Sequence, residues 1–404
     1  AVPKVTLVIN VRAGGLNAGE RVWLPSLTAD LLKEGTESRT AEQIATSAAL
    51  MGGQVSIGAG SDETTLALDV LSEYGPDAVE LLADILTRPT LPESELERIR
   101  QNYLRNLSVA LTQPQALAGA AFAALLYPDH PYGRTFPTPE QLRAYTIEDV
   151  RSFYEENFGA ARTHVYVAGQ FDRAAVEAAV REALGHWRRG PDPLVMPPPP
   201  PGEPRLELIE RAGAPQSTLR VGLRVIDPTQ PDFMPLSVAN TVLGGSLTSR
   251  ITMNLRETKG WAYSPGSLLT PRVGVTAWSE NADVTSAHTG AALTEIFKEI
   301  ERLRTEEPPE QELTAAKNYR NGVFVLSNAS RGGLISQFAY MNLHGLPHDW
   351  LTTYLERMYA VTPAQVTDAA RRHLDPARMS VVIVGDLETV RPQLDSVEQL
   401  TPLR

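Results

Sequence analysis

The sequence predicts an α+β protein of two homologous domains, each a mostly antiparallel sheet covered by helices, related by internal duplication. Three observations predict it. Strand-like stretches come in adjacent pairs with helices grouped between them, which favours antiparallel pairing under a helical layer. Landmarks of the first half recur in order in the second: Gly35…Arg39 as Gly245…Arg250, Pro92-Glu93-Ser94-Glu95-Leu96 as Pro309-Glu310-Gln311-Glu312-Leu313, Thr146 as Thr362, and Val167-Ala168-Gly169 as Val384-Gly385. The offset is 210 or 211 early and 216 or 217 later, so four landmarks keep register. Between the halves stand five consecutive prolines, Pro197 to Pro201, followed by Gly202 and Pro204. Such a run is stiff, extended and unable to join a sheet. The domains are therefore expected at 1–196 and 204–404, with a linker at 197–203.

The first half reads element by element. Residues 5–11 (Val-Thr-Leu-Val-Ile-Asn-Val) are rich in β-branched side chains and predict a strand. Residues 25–32 predict a helix with Leu27, Leu31 and Leu32 on one face, ended by Gly35-Thr36. Thr40 caps a helix to Met51. Gly52-Gly53 turns the chain into alternating strands that run to Leu71. Residues 77–86 predict an amphipathic helix with Val79, Leu82 and Leu86 inward. Pro92-Glu93 opens a long helix to about Leu111, proline being tolerated in the first turn. Residues 146–158 predict a helix, 163–167 a strand closing on Gly169, and 174–187 the last helix. In the second half, residues 219–225 and 380–383 predict the matching strands. Helices are expected on one side of each sheet.

Composition narrows the function. Apolar residues make up 42% of the 404, enough for large cores. The net charge is −11 with no basic run, which argues against nucleic acid or an anionic membrane as partner. The longest apolar run, residues 116–127, is too short to span a bilayer and predicts a buried helix. There are no cysteines, which excludes disulfides and thiolate metal sites. The chain starts Ala-Val-Pro-Lys, without Met and almost directly in a strand, so trimming upstream is expected. A soluble protein of bacterial cytoplasm or periplasm is the expectation.

The most informative stretch is Gly244-Gly245-Ser246-Leu247-Thr248-Ser249-Arg250, running on to Leu255-Arg256-Glu257-Thr258-Lys259-Gly260-Trp261-Ala262-Tyr263. It predicts a helix end, a glycine turn, a short helix and then a strand carrying Tyr263. Arg256 is a fixed cation and Tyr263 a phenolic donor, and delivered from one turn they can face one cleft. This stretch resembles the C-terminal-half signature of the pitrilysin-type (inverzincin) zinc peptidases, the family that includes insulin-degrading enzyme and mitochondrial processing peptidase. The pattern Gly-Gly, Ser-Arg, Leu-Arg-Glu-x-x-Gly-x-x-Tyr is complete from Gly244 to Tyr263.

The resemblance also says where a metal would be. The family pattern is His-x-x-Glu-His on the helix ending in Gly-Thr, with a distal Glu as third ligand. Two imidazoles and a carboxylate hold Zn²⁺ with one position open for water, and the motif Glu takes the proton from that water. Gly35-Thr36 sets the register. The motif then falls on Ser26, Ala29 and Asp30, and the distal ligand on Asn106. No imidazole, base or acidic third ligand remains, so no zinc is expected in this chain. Among seven histidines only His344 and His348 are four apart, and Gly345 and Pro347 between them oppose a shared helix.

The resemblance implies a division of labour. In some members one subunit carries the zinc, and a similar subunit lacks it but supplies an Arg/Tyr pair. On that pattern Arg256 positions a substrate carbonyl and Tyr263 stabilises the oxyanion in a partner's site. The partner would be a homologous zinc-bearing subunit and the substrate a peptide, with no activity from this chain alone. The alternative is a non-catalytic scaffold or peptide-binding subunit. The family's peptide-binding edge strand should fall at Gln54-Val55-Ser56-Ile57-Gly58-Ala59.

Overall fold

In the computed structural model, which describes residues 3–403, the chain forms two units. The first comprises Ala1–Val109, Arg134–Met196 and Ser327–Tyr340. Its sheet contains β1 (Lys4–Val11), β2 (Ser56–Ala59), β3 (Thr64–Leu71) and β4 (Thr163–Gly169), in the order β2-β3-β1-β4. Every pairing is antiparallel. Alternation decides which face is dry: Val5, Leu7, Ile9 and Val11 from β1 and Leu66, Leu68 and Val70 from β3 are all buried in one apolar cluster. Helices Leu24–Leu32, Gly75–Thr87 and Ile147–Asn157 contribute Leu27, Leu31, Val79, Leu82, Val150 and Phe153 to it. Thr40 and Thr146 close capping boxes with Gln43 and Asp149, which fixes where their helices start.

The second unit comprises Ala110–Gly133, Pro197–Leu326 and Met341–Arg404. Its strands are β5 (Leu206–Glu210), β6 (Gln216–Val225), β7 (Gly266–Arg272), β8 (Val275–Thr285) and β9 (Ser380–Gly385), in the order β5-β9-β6-β8-β7. Four of these repeat the first sheet strand for strand: β7-β8-β6-β9 stands for β2-β3-β1-β4. The fifth, β5, is added on the edge parallel to β9. Leu219, Val221, Trp278, Ala282 and Val284 face the core with Leu236, Val242, Phe297 and Ile300 from the helices.

Two expectations change here. Neither unit is one continuous stretch, because residues 110–133 belong to the second and residues 327–340 to the first. The helices are also not confined to one side. Helix Pro114–Leu126 lies against β6 and β9 on the face opposite the core, where a Cβ added at its Gly119 would lie 3.5 Å from the Arg220 guanidinium. Its buried positions, Ala118, Phe122 and Leu126, recur every four residues along one stripe. The apolar run of residues 116–127 is thus a helix, as expected, but only that stripe is fully covered.

Candidate functional site

Gly244 and Gly245 end helix Phe233–Leu243, and both donate their N–H to the Asn240 carbonyl, at 3.0 and 2.8 Å. Glycine is required at 244 by crowding. A Cβ there would lie 2.5 Å from Glu280 Oε2 and 2.6 Å from the Ser267 nitrogen. The chain then makes one turn, Arg250–Thr252, and widens into a π-helix, Met253–Thr258, a form often found at functional sites. Ile251 and Leu255 anchor this turn in the core. Gly260, at φ 67°, reverses the chain in a left-handed conformation that L side chains rarely adopt. The backbone N–H groups of Trp261 and Ala262 then return to the Leu255 carbonyl, at 2.9 and 3.3 Å.

This closed loop presents Arg256 and Tyr263 together. The Arg256 guanidinium stands 5.0 Å from the centre of the Tyr263 ring, a cation–π contact, and its Nε is 3.2 Å from Glu257. Tyr263 is 77% exposed, so its phenol is turned to solvent and not into the core. It lies in the loop before β7 and not on a strand, which corrects the strand expected there. Leu247 and Met253 are exposed on the same segment.

Arg250, from the same signature, has another task. Its side chain is 7% exposed and makes two bonds to Glu312, at 2.8 and 2.6 Å. In the first unit Arg39 holds Asp84 at 2.6 Å. The shared Ser/Arg landmark therefore marks a clamp between a turn and a helix in each unit.

Beneath the turn lies Glu280, fully buried on β8 opposite Val221 and Ser267. Burial pushes its carboxyl well above the usual range, and both of its oxygens are buried without a hydrogen-bond partner. A polar chain continues outward: Ser267 Oγ donates to the Asn240 carbonyl at 3.1 Å, and Thr252 Oγ1 donates to the Pro265 carbonyl at 3.1 Å. Nothing in the residue pattern announced this acid, because a lone Glu in a strand has no spacing signal.

The four positions matching the family's metal set are built differently. Ala29 is buried among leucines on helix Leu24–Leu32. Asp30 is taken up by Lys33 at 2.6 Å and by the Tyr103 phenol, which donates at 2.8 Å. Burial and the Asp30 charge push the Tyr103 phenol up, beyond any working pH. Trp23 packs on Tyr103 at 5.7 Å. Asn106 is exposed. A donor set of one engaged carboxylate, a hydroxyl and an amide does not fit Zn²⁺. Among the described residues no group of three or more His, Asp or Glu is placed to hold a metal ion. Tyr103 and Lys33 were not singled out from the sequence.

Two further positions are as the sequence implied. The helix Arg331–His344 ends at His344 and Gly345 turns at φ 66°, so His348 is not on it. The segment at 54–59 leads into β2, the outer strand of its sheet. Among the described residues no single helix is long and apolar enough to cross a membrane.

Comparisons with known proteins agree with this architecture. A family model described as "Insulinase (Peptidase family M16)" matches residues 5–140, and one described as "Peptidase M16 inactive domain" matches residues 144–319. A protein of Mycobacterium tuberculosis named an uncharacterized zinc protease is 28% identical over 360 residues, 88% of this chain and 82% of that one. The Bacillus subtilis uncharacterized zinc protease YmxG is 24% identical over 348 residues, 84% of this chain and 82% of its own. Among solved structures, a peptidase M16 inactive domain from Pseudomonas fluorescens superposes with a TM-score of 0.88 at 24% identity, covering 95% of this chain and 93% of that one. A protease from Helicobacter pylori gives 0.87 at 17% identity, covering 95% and 94%.

Proposed function

The chain belongs to the M16 (insulinase) family of peptidases, and on that premise we propose that it is the metal-free subunit of a heteromeric peptidase, contributing Arg256 and Tyr263 to a homologous partner's active site. The carrying observation is the contrast between the two places where chemistry is expected. At Ser26, Ala29, Asp30 and Asn106 the groups needed for a metal are absent and Asp30 is consumed by Lys33 and Tyr103. At the Gly244 turn a cation and an exposed phenol are held side by side, 5.0 Å apart, on a loop closed by backbone hydrogen bonds.

The chemistry follows from those groups. As a peptide carbonyl is attacked in the partner's site, its oxygen gains negative charge. The Tyr263 O–H donates a hydrogen bond to that oxygen, and one such donor contributes about 10²–10³ in kcat. Arg256 donates to the neighbouring substrate carbonyl, while its contact with the ring keeps the phenol in place. The zinc, on this reading, belongs to the partner.

The test is co-expression with a zinc-motif homologue from the same source, measuring complex formation, metal per complex and peptide cleavage. The expected result is cleavage by the mixed complex and by neither this chain alone nor its Tyr263→Phe complex at full rate. Unchanged turnover of that variant at saturating substrate would leave a scaffold subunit as the reading. Cleavage by this chain alone with stoichiometric metal overturns both.

A further inference from the structure

The second unit carries a cationic cavity of about 210 Å³ with no evident purpose in peptide cleavage. Its walls are Leu125, Leu126 and Leu223, its roof is Pro201-Gly202-Glu203-Pro204, and two arginines line it, Arg224 and Arg378. Arg224, on β6, is 8% exposed. One of its donors is used: Nη2 donates to the Pro199 carbonyl at 2.6 Å. Nε and Nη1 are buried with no hydrogen-bond partner. Leaving buried guanidinium donors unmade is costly, and buried cations are ordinarily paired.

The duplication explains how this arose. Arg12 is the matching residue of the first unit, just past β1, and the neighbouring Glu63 lies within its electrostatic reach. In the second unit Arg224 stands opposite Ala277 on β8, the position that matches Glu63. The arginine is retained and its carboxylate is not. Arg378 repeats Arg162, but Arg162 donates to the Pro191 and Arg12 carbonyls and to Asn157, whereas Arg378 opens on the cavity. Among the described residues, no carboxylate lies at ion-pair distance from Arg224 or Arg378; Glu203 lines the roof, leaving two cations to one anion.

We propose that this cavity binds a small oxyanion, the carboxylate or phosphate group of a molecule a few heavy atoms in size, held by the free donors of Arg224 and by Arg378. The anion takes the place that the Glu63 carboxyl group has in the first unit.

The test uses the full chain and two probes, inorganic phosphate and propionate, titrated by calorimetry and by thermal denaturation against chloride at matched ionic strength. Saturable binding of phosphate, propionate or both supports the site, and the preferred probe identifies the headgroup. Arg378→Met, at the exposed wall, is expected to weaken binding at least tenfold without unfolding the protein. Ala277→Glu restores the carboxylate of the first unit and is expected to abolish binding while raising Tm. Equal shifts with chloride, or binding unchanged in both variants, overturn the proposal.

Discussion

The first unit sets Arg12 near Glu63; the second sets Arg224 opposite Ala277. This difference is one of several within a shared frame. Thr6 donates to Asp69 at 2.6 Å between β1 and β3, and Thr218 makes the same bond to Asp283 between β6 and β8. At each carboxylate a helix start is tied down: Arg331 donates to Asp69 at 3.0 Å, and Gln115 donates to Asp283 at 3.0 Å. What repeats is therefore the structural fastening. What differs is chemistry. Residues 40–55 of the first unit, which match the Arg256–Tyr263 segment, contain neither Arg nor Tyr. Conversely the helix that would carry a metal motif in the first unit has become a hydrogen-bonded plug of Asp30, Lys33 and Tyr103. Duplicated frames can diverge in this way because the fastenings sit at strand and helix starts and leave the turns free.

If the units are so divided, the largest effect of any single change should come from Tyr263→Phe. It is expected to lower kcat of the mixed complex by about 10²–10³ with assembly and Tm unchanged, read by steady-state kinetics beside size-exclusion chromatography. Gly244→Ala should come next. The added methyl meets Glu280 and the Ser267 backbone, and overpacking of that kind costs about 3 kcal/mol. Urea denaturation would measure it, and a change below 0.5 kcal/mol, as an order of magnitude for a harmless surface substitution, would mean the turn is looser than described.

Glu63 offers a pH-resolved way to sharpen the comparison. Burial pushes its carboxyl up to about 7, with Arg12 and the Asn10 hydrogen bond pulling the other way. A folded-state value above the unfolded one means that the native state keeps a proton the unfolded chain has lost. Stability is therefore expected to fall as pH rises from about 4.5 to about 7, and to stay lower above that. Glu63→Gln removes this slope and should leave the protein more stable above pH 7, by on the order of 2 kcal/mol. Denaturation midpoints at pH 5 and pH 8 would show it. Ala277, in that place in the second unit, has no group to titrate.

Much of this was legible in the sequence because it lives in local signals. The two units, the turn at Gly244 and the capping Thr40 and Thr146 all follow from spacing and residue type. The exchanged segments at 110–133 and 327–340 were not legible, since an amphipathic helix does not state which sheet its stripe will cover. Tyr103 and Lys33 were equally silent, because their meaning depends on Asp30, 73 residues from Tyr103. Tyr263 misled in one respect: a run of Trp, Ala and Tyr reads as a strand, but the two returning bonds to Leu255 hold it as a loop.

The plug itself supplies the smallest effect and the most direct challenge to the division between units. Asp30→Ala leaves the Tyr103 phenol, half-covered by Trp23, without its acceptor and frees Lys33. An unmade hydrogen bond to a partly buried hydroxyl costs about 1 kcal/mol after allowance for the one-third exposure of the Asp30 side chain. Thermal denaturation of the isolated chain should register that loss, and neither added zinc nor a chelator should change it, since the donors at 26, 30 and 106 are engaged or too weak. A zinc-dependent rise in Tm for the unmodified chain, lost in Asp30→Ala, would show that the carboxylate still ligates and that the first unit retains chemistry assigned here to a partner.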